Sequence, residues 1–320
     1  MPAGGRDVSR GVAGAAATGR APTKAGAWLL ASRPKTLPAA AAPVIVGTAT
    51  AYAAHAFRTW PALAALAGAL LIQIGTNLAN DYFDFRHGAD THERVGPVRV
   101  TQAGLLAPAA VLRGAWAAFA LAALAGAYLT AVAGWPVVAI GTLAIAAGLA
   151  YTAGPFPLGY HGLGEIFVFI FFGLVAVGGT HFVQARALAA SAVWAGVPMG
   201  LLAAAILVVN NLRDVDTDRA AGKRTLAVRL GERAARAEYP ALLATAFATP
   251  AAAVAAGQAP PALLLTLGAL PFAMVPLRRV LCDRGAALNA ALAETGRLEL
   301  AFAVLYAVGL ALGRPVYGNR

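Results

Sequence analysis

The sequence predicts an all-α polytopic membrane protein, a bundle of nine transmembrane helices with its N-terminus in the cytoplasm, and three observations predict it. Hydrophobic residues make up 59% of the 320 positions and charged ones only 12%, with a mean hydropathy of +0.68, whereas a soluble domain carries about 25% charged residues. Apolar runs of about the 20 residues needed to cross a hydrocarbon core recur along nearly the whole chain. Of the 25 Lys and Arg, 21 fall on one set of alternate loops, and the other set holds Arg58, Arg186, Arg314 and Arg320. That asymmetry is the positive-inside pattern and puts the richer side in the cytoplasm.

Taken in order, residues 1–26 are rich in Gly, Ala and Arg without apolar periodicity and are expected to form a disordered tail. A signal peptide fits poorly, because the first apolar run begins only after Arg33-Pro34-Lys35. Residues 27–320 are expected to form a single transmembrane domain. Its spans are read at 36–55, 61–80, 109–130, 135–153, 163–183, 191–211, 239–257, 260–277 and 298–313. The seventh, rich in alanine and carrying Pro250, has the weakest pattern, and the last is short. The net charge of +11 does not point to nucleic acid, since the basic residues lie between apolar spans rather than on a soluble face. One cysteine, Cys282, excludes an internal disulfide and any multi-cysteine metal site, and the five histidines lack paired ligand spacing. The sequence sets no oligomeric state.

Two polar stretches interrupt this pattern. Span two closes on Asn80-Asp81-Tyr82-Phe83-Asp84, followed by Asp90, Arg94 and Arg99. Span six closes on Asn210-Asn211-Leu212-Arg213-Asp214, followed by Asp216, Asp218, Lys223 and Arg224. Both spans end on the same side, an even number of crossings apart, and the likeness of their ends hints at an internal repeat. On a helix, side chains three or four apart share a face. Asp81 therefore pairs with Asp84, and Asp214 with Asp218, while Asp216 points away if the helix continues.

Carboxylates at a bilayer surface must be hydrated, paired or metal-bound. Two such pairs meeting at one mouth make an oxygen-rich pocket suited to Mg²⁺, which binds through one or two carboxylates, several waters and substrate phosphates. The flanking Arg and Lys suit phosphate oxygens. Together they describe a site for a diphosphate whose lipid tail lies between helices. Interfacial ion pairs without function are the plainer reading, favoured less when two matched patches share a side. A cation or small-molecule transporter is the rival of another class, but its acids would sit nearer mid-bilayer.

At these residues the sequence resembles the UbiA superfamily of membrane prenyltransferases, and within it most closely the 1,4-dihydroxy-2-naphthoate polyprenyltransferases of menaquinone biosynthesis. The resemblance runs from residue 33 to about 231. It rests on Arg33-Pro34-Lys35-Thr36-Leu37-Pro38, the first acidic stretch with Arg94-Val95-Gly96-Pro97, Tyr151-Thr152-Ala153-Gly154-Pro155, Leu158 through Glu165, and Asn210 through Leu226. One departure is that Gly88 stands where the wider superfamily has a third aspartate, the acid coming instead at Asp90, a spacing that looks like the naphthoate branch.

The resemblance implies Mg²⁺ held by Asp81, Asp84, Asp214 and Asp218, with Asp90 as a further ligand. It implies diphosphate and acceptor contacts from Asn80, Asn211, Arg94, Arg99, Lys223, Lys35, Tyr151 and Glu165. It also implies transfer of a polyprenyl group from its diphosphate to an aromatic acceptor, with loss of the acceptor's carboxyl group in the naphthoate branch. Another aromatic acceptor within the superfamily is the nearest alternative. Tyr151, Tyr160 and Phe83 are either ring shields for an allylic cation or ordinary packing, and His161 and His181 read as packing residues.

Overall fold

In the computed structural model, residues 22–88 and 95–313 are described, and every regular element among them is helical. In chain order these are α1 (Lys24–Ser32), α2 (Pro38–Ala53), α3 (Thr59–Arg86), α4 (Pro108–Ala133) and α5 (Pro136–Ala150). They are followed by α6 (Gly164–Ala185), α7 (Ala190–Arg213), the short α8 (Val215–Ala220) and α9 (Leu226–Leu230), α10 (Glu232–Ala255), α11 (Pro261–Cys282) and α12 (Leu288–Leu312). Proline opens α2, α4, α5 and α11, where its missing N–H is no loss.

Each predicted span overlaps one of the long helices, but not all of those helices qualify as crossings. Six are long and apolar enough, or seven if α1 and α2, bent by 53° at Leu37, count as one broken span. At 15 residues, α5 is about 22 Å long, less than the ~30 Å hydrocarbon core. The seventh predicted span corresponds to α10, which starts seven residues early; its first two turns carry Glu232, Arg233, Arg236 and Glu238, and it falls outside the apolar set.

The expected tail ends inside a helix, because α1 begins at Lys24; residues 1–21 lie outside the described residues. Thr23 caps α1 by accepting from the Gly26 N–H, and Trp28 packs against Gly114 of α4, where a Cβ would come within 2.6 Å of the indole. Asn77 of α3 then holds the elbow between α1 and α2, donating to the Ser32 carbonyl at 3.0 Å and to Thr36 Oγ1 at 3.3 Å.

The apolar core divides in two. The larger part joins α2, α6, α7, α10, α11 and α12 around Met199, Leu202, Tyr239 and Phe302. The smaller joins α1, α3 and α4 around Leu78, Val111 and Phe119. Helix α7 is the axis of the larger part, with 72% of its apolar stretch buried against 28% for α3. Between the two parts the helices carry small side chains, among them Ala65, Gly68 and Ala69 on α3, Gly126 on α4, and Gly141, Ala144 and Gly148 on α5. Those positions leave space unfilled, and a cavity of about 620 Å³ occupies the seam. Along α3 it runs from Ala65 to Thr76, about 16 Å at 1.5 Å per residue.

Candidate active site

The C-terminal ends of α3 and α7 deliver the two acidic stretches to one end of the bundle, where a single ammonium joins them. Lys223 Nζ lies 3.3 Å from Asp84 Oδ1 and 3.8 Å from Asp218 Oδ1. Tyr160 Oη donates to the same Asp84 oxygen at 2.7 Å, and its ring lies under Lys223 Nζ at 4.6 Å. The other Asp84 oxygen accepts from Arg99 at 2.8 Å. Only 3% of the Asp84 side chain and 12–13% of Lys223 and Asp218 are exposed. Desolvating so many charges has a cost that their mutual attraction offsets only in good geometry, and such clusters at a membrane surface mark function more often than stability.

The remaining expected ligands are held differently. Asp81 is buried, and its two oxygens accept the backbone N–H groups of Val100, at 3.2 Å, and Thr101, at 3.1 Å. It thereby fixes the turn that carries Arg99 to Asp84. Asp214 is paired bidentately with its neighbour Arg213, at 2.8 and 2.6 Å. Arg213 also donates to Asn210 and to Asn289 of α12, whose amide in turn donates to the Val95 carbonyl. Among the described residues no three His, Cys, Asp or Glu side chains converge as a metal-binding group. Of the four aspartates expected as ligands, Asp84 and Asp218 thus meet at Lys223, Asp81 holds the Val100–Thr101 turn and Asp214 pairs with Arg213. Asp90 and Arg94 lie outside the described residues.

Bonds to two backbone carbonyls close the mouth's far side. The Arg224 N–H donates to the Tyr160 carbonyl at 2.8 Å, and Arg229 donates to the His161 carbonyl at 3.2 Å. His161 stacks on Phe156 at 3.6 Å, a packing role, and His181 pairs with Thr50 deep between α2 and α6. Lys35 is exposed on the turn between α1 and α2 and makes no side-chain bond to the mouth among the described residues.

Below the mouth the site turns apolar. Asn80 accepts from Thr152 Oγ1 at 2.7 Å, pinning the end of α5, and the adjacent Tyr151 lines the cavity beside Thr76, Gly148, Phe167 and Phe171. Asn211 of α7 donates to Glu165 Oε1 at 2.7 Å at the start of α6. The Tyr151 phenol oxygen lies 3.2 Å from where a Cβ on Gly164 would stand, so one ring borders both the start of α6 and the apolar cavity.

Sequence reasoning had no signal for Asn289 or the Val100–Thr101 turn. Tyr160 was visible only as a ring, not as a partner of Asp84.

A buried ionic mouth over an apolar cavity between helices defines an enzyme that handles an amphiphile with a charged head and a hydrocarbon tail. The chain belongs to the UbiA prenyltransferase family, which matches residues 40–305. It is 42% identical over 288 residues to the 1,4-dihydroxy-2-naphthoate octaprenyltransferase of Mycobacterium tuberculosis, covering 90% of this chain and 97% of that one. It is 44% identical over 223 residues to the octaprenyltransferase of the same name from Escherichia coli, covering 68% and 72%. Its fold is similar to that of a UbiA homolog from Archaeoglobus fulgidus solved with DMAPP and Mg²⁺. The TM-score there is 0.63 at 15% identity, over 89% of this chain and 99% of that one.

Proposed function

We propose that this chain transfers a polyprenyl group from its diphosphate to 1,4-dihydroxy-2-naphthoate, with loss of the acceptor's carboxyl group, to give demethylmenaquinol. The observation that carries this reading is Lys223 bridging Asp84 and Asp218 at the end of a bundle whose helices enclose the apolar cavity that Tyr151 lines. The names of the bacterial relatives supply the acceptor.

The donor set fits Mg²⁺. Asp84 and Asp218 are hard oxygen ligands, and with no third carboxylate converging there among the described residues the rest of the shell would come from substrate phosphate and water. When bound, the ion neutralises charge on the departing diphosphate. Lys223 and Arg99, now counter-ions of Asp84, are placed to turn to phosphate oxygens. Tyr160 keeps Asp84 aimed by its 2.7 Å bond. The isoprenoid chain lies along α3 toward Ala65, and the apolar walls keep water from the allylic carbon. The ring face of Tyr151 stands beside that carbon, where positive charge develops.

The nine long helices are read as a nine-span bundle in the cytoplasmic membrane. The mouth then faces the cytoplasm, consistent with the placement of basic residues.

The test is an assay of purified protein with Mg²⁺, a polyprenyl diphosphate and a panel of aromatic acids, products being identified by mass. The expected product is the prenylated, decarboxylated naphthalenediol, formed only while the metal is present and lost on chelation. Turnover of a benzoate but not the naphthoate would replace the acceptor. Transport of a solute without covalent change would remove the reading.

A further inference from the structure

We propose that Glu165 receives the hydroxyl proton of the aromatic acceptor, with Asn211 as the residue that positions it; this rests on the prenyl-transfer reading above. Glu165 is 7% exposed and stands at the first turn of α6. One oxygen, Oε1, accepts from Asn211 Nδ2 at 2.7 Å, while Oε2 is buried with no hydrogen-bond partner among the described residues. A carboxylate oxygen removed from water without a donor is costly. No role in holding the fold requires that second oxygen.

Its neighbours say what donor belongs there. Gly164, next in the chain, packs against Tyr151, its Cβ position 3.2 Å from the phenol oxygen, and Phe167 and Val168 of the same helix line the cavity. Glu165 therefore stands at the start of α6 beside the ring of Tyr151, where the helix meets the tail cavity, and an acceptor ring bound at that end of the cavity would bring its hydroxyl to the open oxygen. Asn211 lies in the last turn of α7, just before its C-cap Asp214, so the residue that orients Glu165 belongs to the element that frames the mouth.

The step balances without a further reactant. The hydroxyl proton passes to Glu165, and the ring carbon beside the resulting oxyanion forms the bond to the allylic carbon. The C–O bond of the polyprenyl diphosphate breaks, and its electron pair leaves with the diphosphate. Where that ring carbon carries the carboxylate, the product is a β-keto acid anion. It loses CO₂, and the oxyanion so regenerated takes the proton back from Glu165.

Glu165→Gln tests this in the full chain reconstituted in lipid, because the amide oxygen still accepts from Asn211 while the proton acceptor is gone. With polyprenyl diphosphate saturating, kcat should fall by about 10²-fold or more, with the acceptor KM and polyprenyl diphosphate binding changed less than about 3-fold. Part of the loss should return with a fluorinated acceptor whose hydroxyl is more acidic, and Glu165→Asp should exceed Glu165→Gln in kcat. A Glu165→Gln enzyme as fast as the wild type overturns the proposal, as does a deficit equal for both acceptors. A wild-type protein inert toward every aromatic acid instead overturns the prenyl-transfer reading on which it rests.

Discussion

Asp81 and Asp84 sit three residues apart on one helix, and the bundle gives them different work. Asp84 meets Lys223, Tyr160 and Arg99, all of them side chains. Among the described residues Asp81 meets only backbone N–H groups. Asp84→Asn should keep the packing but remove the charge that organises the mouth, lowering kcat by about 10²-fold or more while the thermal unfolding midpoint in detergent stays near that of the wild type. Asp81→Asn presents a donor where one of two N–H donors must be satisfied, costing about 1–3 kcal/mol. Its lower unfolding midpoint should come with a raised KM for the diphosphate, because the turn bearing Arg99 loosens. Equal kcat losses in both variants, with no change in stability, would give Asp81 the same work as Asp84. The sequence showed that both carboxylates share a helical face, since that follows from the 3.6-residue period. It did not show which groups face them, because Val100 and Thr101 arrive from a loop and Tyr160 from another, at separations that no local periodicity encodes.

Among the elements, α6 and α7 cross backbone to backbone at a place where α6 widens into a π-helical stretch, Phe169–Val175. A Cβ on Gly173 would come within 2.6 Å of the Gly196 carbonyl oxygen, and one on Gly200 within 2.5 Å of the Phe169 carbonyl oxygen. Glycines four apart on α7 let the backbones touch, the usual device where helices pack in lipid. The widened turn lies where Phe171, Phe172 and Val175 wall the cavity, so packing on one face of α6 sets the shape of the other. Gly200→Val should destabilise the protein by about 1–3 kcal/mol and raise the KM for a long polyprenyl diphosphate as the wall is pushed inward. Gly179→Ala, whose Cβ meets nothing closer than 3.8 Å, should leave stability unchanged; thermal unfolding and steady-state kinetics of the two read the difference. The glycine spacing is written in the sequence, whereas the π turn is not. Helix ends were legible where proline or a charge run marked them, and least so at α10, whose charged first turns lie outside the apolar run that sequence reading depends on.

Across the whole molecule, the loops that sequence assigned to one side are bonded to one another. Lys223 meets Asp84, Arg224 meets Tyr160, Arg213 reaches Asn289, and Arg236 holds the Asp283 carbonyl at 2.7 Å. These contacts join the segments after α3, α5, α7 and α11 into one face, which is also the face richer in Arg and Lys. Charge asymmetry is legible in a sequence because it acts loop by loop at insertion, whereas the convergence of those loops needs the packed bundle. The face carries its own reporter, the exposed Cys282 at the end of α11, beside the Arg236–Asp283 contact, and no other cysteine is present. If the mouth opens to the cytoplasm, a membrane-impermeant maleimide should label Cys282 in inverted vesicles and leave it unmodified in right-side-out ones until the bilayer is permeabilised. Labelling from the outer face in sealed right-side-out vesicles would invert the bundle and place the diphosphate site where no cytoplasmic substrate reaches it.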